Sequence, residues 1–175
     1  MLILLLLQAE FQEVRDFERV PIAGIVVAVE GVAGFFDSRL DLDPALGVKA
    51  EGQIRMMKDY YIRVAGYAWD TETESGEDAE VSAWAVGVGW DWFFGAFRDF
   101  ALDAGVSAGI TRVHAATDAD RGFLLQAEAA WRWTFLPHAG LRVSGTFDYA
   151  DLSYHAAETE HRASFTLGAG LELRF

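Results

Sequence analysis

The chain has 175 residues, 52% of them hydrophobic, yet it carries 27 acids against 14 bases, a formal charge of −13. That length holds one domain with a sizeable core. The acidity excludes a nucleic-acid partner, because phosphate binding needs Lys/Arg clusters and the sequence has none. The lack of cysteine excludes disulfides, thiolate metal sites, a Cys nucleophile and a lipoprotein anchor.

The chain starts "MLILLLLQAEFQE". Its apolar stretch, Leu2 to Leu7, is too short to span a membrane and resembles the end of a secretory signal peptide, with Ala9 as the last residue before cleavage. No Lys or Arg precedes the stretch, and Leu7 stands where a small residue is preferred; the alternative is an N-terminal strand or buried segment. Phe11, Val14 and Phe17 have the spacing of a short amphipathic turn. We expect residues 1–21 to be a signal-like remnant and lead, and 22–175 to be one barrel domain. No run of about 18 apolar residues exists to form a transmembrane helix.

From residue 22 the chain alternates with period two, in segments separated by turn signals. The segments are about 22–36, 46–56, 60–70, 81–94, 99–114, 122–136, 141–155 and 163–175. In the second, Val48, Ala50, Ile54 and Met56 oppose Lys49, Glu51, Gln53 and Arg55. In the fourth, Trp84, Val86, Val88, Trp90 and Trp92 oppose Ala85, Gly87, Gly89 and Asp91. The sixth sets Leu125, Ala127, Ala129, Trp131, Trp133 and Phe135 against Gln126, Glu128, Ala130, Arg132 and Thr134. The last sets Phe165, Leu167, Ala169, Leu171, Leu173 and Phe175 against Ser164, Thr166, Gly168, Gly170, Glu172 and Arg174. The connections alternate too. "MKD", "GAFRD" and "PHAG" are short, whereas "DSRLDLDPA", "DTETESGEDAE", "AATDADR" and "AAETEHR" are longer and acidic. Up-and-down connectivity collects the two kinds at opposite ends.

Three features point the apolar face outward. Its aromatics sit near strand ends, with small and aliphatic residues between. The polar face is rich in Gly, Ala and Ser, which suit a narrow interior. The polar face also carries seven acids and six bases, while the four long connections carry thirteen acids and three bases. A confined lumen demands near-neutrality, because unpaired buried charge is expensive.

In strand count, loop asymmetry, aromatic girdles and C-terminus, residues 22–175 resemble the small eight-stranded outer-membrane barrels of Gram-negative bacteria, the OmpA/OmpX-type group. The resemblance implies an all-β, eight-stranded antiparallel up-and-down transmembrane β-barrel in the bacterial outer membrane. It implies a monomer whose partners are the lipid bilayer, lipopolysaccharide and the outer-membrane assembly machinery. Gly170, Leu173 and Phe175 match the family's C-terminal assembly signal, although Gly168 stands where a polar residue is usual. No peptidoglycan-binding domain is expected after the barrel.

An interior this narrow is just filled by side chains. We therefore expect a plugged lumen crossed by a structural charge network of Glu30, Lys49, Glu51, Arg55, Arg63, Asp91, Asp103, Glu128, Arg132, Arg142, Asp148, Glu172 and Arg174, with Arg63, Arg132, Glu51 and Glu128 central. The expected role is non-enzymatic, structural or surface-binding. Two alternatives stand beside it. One is an outer-membrane lipid-modifying enzyme: Ser153 and His155 share a strand face, with Glu158 and Glu160 following, but their order is not that of the outer-membrane deacylases. The other is a soluble lipocalin-like barrel with the apolar face turned inward. His114, His138 and His161 lack zinc-ligand spacing, and "DTETESGEDAE" lacks the spacing of a calcium loop, so neither a metal nor a cofactor is expected.

Overall fold

The computed structural model describes residues 24–37, 43–57, 59–72, 76, 78–94, 100–115, 119–136, 138–153 and 159–175. The two-residue period of the sequence becomes eight strands. They are β1 (Ile25–Asp37), β2 (Ala45–Arg55), β3 (Tyr60–Glu72), β4 (Asp78–Phe94), β5 (Phe100–Ala115), β6 (Ala119–Leu136), β7 (Ala139–Ser153) and β8 (Thr159–Arg174). Each pairs antiparallel with its neighbour in sequence, and β8 closes on β1. The proposed signal remnant lies outside the described residues, and β1 begins at Ile25 rather than at 22.

Closure has a fixed stagger. A path across the strands from Val27 runs through Gly52, Val64, Val86, Ala108, Leu125, Tyr149 and Ala163, and meets β1 again at Asp37, ten residues further on. Eight strands with that offset tilt by roughly 40° and enclose a cylinder of about 8 Å backbone radius. The seam is hydrogen-bonded to its end: Ile25 N–H donates to Phe175 O at 3.1 Å, and Phe175 N–H to Ile25 O at 2.9 Å.

The strands run further into the acidic segments than their composition suggests. β3 and β4 pair as far as Glu72 with Asp78, and β5 and β6 as far as His114 with Ala119. Only 73–77 and 116–118 are left between those strands, so the expected contrast between long and short connections is small. Alternation overrides acidity here because an edge-free ladder satisfies every backbone group it extends over.

The apolar face is outside. Val27, Val86, Val106, Leu125, Leu171 and Trp84 are all exposed. That arrangement overturns the lipocalin-like alternative, which needs those side chains within. The registers also sort the outward residues by height. Tyr60, Trp90, Trp92, Phe100, Trp131, Trp133, Phe135 and Phe175 ring the end that carries the β2–β3, β4–β5 and β6–β7 connections. Phe35, Trp84, Phe123, Phe147, Tyr149 and Phe165 form a second ring toward the other end. Between them lie mainly Val, Ala, Leu and Gly, among them Val29, Val64, Val86, Val106, Ala127 and Val143. Above the second ring the outward residues turn polar: Asp70, Glu80, Arg112 and Arg121. The belt is on the order of 25–30 Å tall, the thickness of a hydrocarbon layer. Rings touch within the lower girdle, Phe100 stacking on Trp131 at 5.7 Å and Trp90 meeting Trp92 edge-on at 5.2 Å. In the belt Gly66 gives the Trp84 ring a place to lie, since a Cβ there would sit 2.8 Å from it.

If this belt faces hydrocarbon, the cost of a charge depends on depth. Val86→Arg, at mid-belt, should lower the unfolding free energy in lipid vesicles by roughly 2–4 kcal/mol, and Ala68→Arg, at the belt's edge, by about 0–1 kcal/mol. Equal costs by urea titration in vesicles would contradict the assignment.

Candidate functional site

The inward residues come from one parity of each strand, so strand geometry alone aims them at the axis. Burial and pairing divide them into two layers.

The lower layer is ionic. Glu128 on β6 is its hub. It accepts from Lys49 and Arg142, from Arg63 Nη2 at 2.7 Å and from Thr146 Oγ1 at 3.0 Å. Glu51 faces Lys49 Nζ at 3.3 Å, Arg63 Nη2 at 2.8 Å and Arg142 Nη2 at 3.2 Å. Arg142 also reaches Glu30 at 3.0 Å and Asp103 at 3.1 Å. Nearer the turn end, Asp91 pairs with Arg55 and Arg132, and Arg132 lies 3.6 Å from Glu172. Arg174 Nε donates to Glu172 at 2.7 Å. Neutral groups complete the set. Gln53 Nε2 donates to Glu51 at 2.8 Å and Asp103 at 3.0 Å, Tyr61 donates to Asp103, and Ser144 to Glu30.

Glycine makes room for this layer. A Cβ on Gly89 would lie 2.2 Å from the Tyr61 hydroxyl, and one on Gly168 would lie 2.4 Å from Glu30 Oε2. A side chain at either place would evict a member of the network.

The upper layer is apolar. Val32, Ala45, Tyr67, Trp69, Ala79, Val81, Ala83, Val113, Leu124 and Ala150 form a buried cluster across the loop end of the lumen. At its lower margin Tyr67 donates to Asp148, and Gln126 Nε2 donates to the same carboxylate at 3.0 Å.

All thirteen residues expected in the lumen face inward. Twelve are buried, and the Arg174 side chain is 11% exposed. Twelve join ion pairs, whereas Asp148 is held by Tyr67 and Gln126 instead. Arg162, read from sequence as part of a loop, is buried in the lumen with Nη2 3.0 Å from Thr111 Oγ1. With it, the described lumen holds seven acids and seven bases. Tyr61, Tyr67 and Trp69 also escaped the sequence reading. Their parity with Arg63 was the available signal, and their apolar character masked it.

Gly170 packs against the β1 backbone, where a Cβ would meet Val29 O at 1.9 Å, while Leu173 and Phe175 point outward. His114 and His138 are exposed, and His138 Nδ1 lies 3.1 Å from Arg174 O. Among the described residues no three His, Asp or Glu side chains converge as metal ligands. The side chains of Ser153, His155, Glu158, Glu160 and His161 lie outside the described residues.

A closed eight-stranded meander, apolar outside and ionic within, is the fold of the small outer-membrane β-barrels. Neisserial surface protein A has it, with a TM-score of 0.74 over 86% of this chain and 97% of that one, at 12% identity. So does the outer membrane protein OprG from Pseudomonas aeruginosa, with a TM-score of 0.58, 9% identity, and 87% and 96% of the two chains covered. Ail, the attachment invasion locus protein of Yersinia pestis, gives 0.55 at 13% identity, covering 89% of this chain and 100% of that one. No protein-family model and no curated protein sequence matches the chain.

Removing the hub carboxylate should expose how the network is coupled. Glu128→Ala leaves Lys49, Arg63 and Arg142 short of one buried anion and should cost roughly 3–5 kcal/mol of stability. Adding Lys49→Met should recover part of that loss, because it removes one of the cations left in excess. The four-way cycle, measured by urea titration in vesicles, would read zero coupling if the two groups acted separately.

Proposed function

We propose that this chain is an integral protein of the bacterial outer membrane with a plugged lumen and no catalytic role, a membrane-embedded scaffold that presents an acidic face. The observation that carries the reading is the pairing of opposites: a belt of exposed apolar side chains surrounds a lumen whose described charges are seven acids and seven bases, six of each joined in ion pairs. A path for solutes through so narrow a cylinder would have to break those pairs, at several kcal/mol each. The fold shared with Neisserial surface protein A and OprG supports the location.

The loop end carries exposed Asp43, Asp70, Glu72, Asp78 and Glu80. One neighbour, Ail, is known in complex with the heparin analogue sucrose octasulfate. The acidic rim of this chain repels such polyanions, so a soluble partner docking on the rim from above would be basic.

Purified monomer in planar bilayers should give no large, steady conductance; sustained open-channel current would overturn the plug.

The exposed Phe175 at the seam, with Gly170 and Leu173, suits recognition by the outer-membrane assembly machinery. Deleting Phe175 should reduce folded barrel in cells far more than it reduces refolding into detergent, both scored by heat-modifiable migration. Equal losses would make the residue a packing element alone.

A further inference from the structure

The outward face of β5 and β6 changes character at one step of the ladder. Ile110 and Phe123 are direct cross-strand partners, 65% and 55% exposed, at the top of the apolar belt. The next outward pair above them is Arg112 and Arg121, also direct partners and both exposed. Their Cβ atoms are therefore about 5 Å apart, and like charges placed directly opposite are destabilising. Neither arginine has a carboxylate at ion-pair distance among the described residues. The neighbouring strands give Ser82 opposite Arg112, Glu80 opposite the exposed His114 and Asp151 opposite Phe123, so the nearby acids are diagonal to the pair or further.

We propose that Arg112 and Arg121 together bind the phosphate group of a lipid in the leaflet that surrounds the loop end of the barrel. The inference rests on the membrane reading above. Two guanidinium groups a few ångströms apart can each donate to one phosphate, and the anion removes the repulsion that the bare pair carries. The pair sits one ladder step above the belt, at the depth where a headgroup phosphate lies when acyl chains run down past Ile110 and Phe123. Depth favours a phosphorylated amphiphile over a free anion: the pair stands directly above the belt residues Ile110 and Phe123, at the level where lipid headgroup phosphates are concentrated.

The test uses the full chain refolded in nanodiscs of neutral phosphatidylcholine, titrated with bisphosphorylated lipid A and followed by tryptophan fluorescence. Dephosphorylated lipid A and inorganic phosphate form the other arms. The wild type should bind the phosphorylated lipid, and Arg112→Gln with Arg121→Gln should weaken that binding about thirty-fold. The variant should keep its heat-modifiable migration, because both side chains are outside the packed interior. Equal affinity of wild type and variant, or equal binding of the dephosphorylated lipid, would overturn the site. Competition by inorganic phosphate at the lipid's own concentration would overturn the lipid as its occupant. None of these outcomes bears on the conductance test, so the plug and the lipid site fail separately.

Discussion

Every feature of this barrel depends on closing the hydrogen-bond ladder between β1 and β8. An open eight-stranded sheet would leave two edges of unpaired N–H and C=O groups, each costing several kcal/mol in hydrocarbon. Closure with a ten-residue stagger sets the tilt and so the radius. The radius in turn decides what can lie inside. A cylinder about 8 Å in backbone radius has room for side chains meeting at the axis and little else. Each inward residue must therefore be matched to those across from it, and the matching is visible in the glycines. Gly89 yields space to Tyr61 and Gly168 to Glu30, because a Cβ at either would overlap its partner.

Confinement also governs the charges. A carboxylate buried in so narrow a lumen needs cations within reach, and Glu128 has three. Arg142 shows the converse, with Glu30, Glu51, Asp103 and Glu128 all around one guanidinium. A planar fork with five donors can serve carboxylates arriving from several strands at once, which a lysine ammonium does less well. Six of the seven bases in the described lumen are arginine, and the lysine among them, Lys49, sits where three carboxylates already converge. Among the described residues the balance is shared across strands and is not made pair by pair. The hub joins β2, β3, β6 and β7, so the network ties together strands that share no ladder.

The architecture was legible because a barrel writes its two faces into alternate residues. Strand count, face assignment and the thirteen lumen charges could all be read that way. What escaped reading were the places where one side chain breaks the rule of its face. Trp69 and Tyr67 are large rings on the inward parity of β3, and their hydrophobicity argued for lipid. Arg162 lies in a stretch whose composition resembles a loop, yet the ladder carries β8 down from Thr159 and turns that side chain inward. Asp148 looked like any other lumen acid. Its height places it at the margin of the apolar layer, where Tyr67 and Gln126 are the donors within reach. Height depends on the stagger between strands, which no single strand's pattern records.

The vertical order of the lumen has its own logic. The described rim at the loop end is acidic, and a carboxylate buried just beneath it would face both desolvation and like charge. Apolar side chains escape both costs, and the cluster around Trp69 occupies that level. Among the described residues the charge seated at that level is Arg162, a cation between the acidic rim above and Asp148 below. At the opposite mouth the described rim is mainly aromatic, and the ionic layer runs down to Arg55 and Arg174, the most exposed of the paired lumen side chains at 8% and 11%. Cations at that mouth meet no field from the acidic loops, so their partners, Asp91 and Glu172, must come from within the lumen itself. The sign of the rim at each end thus selects what the lumen can hold beneath it.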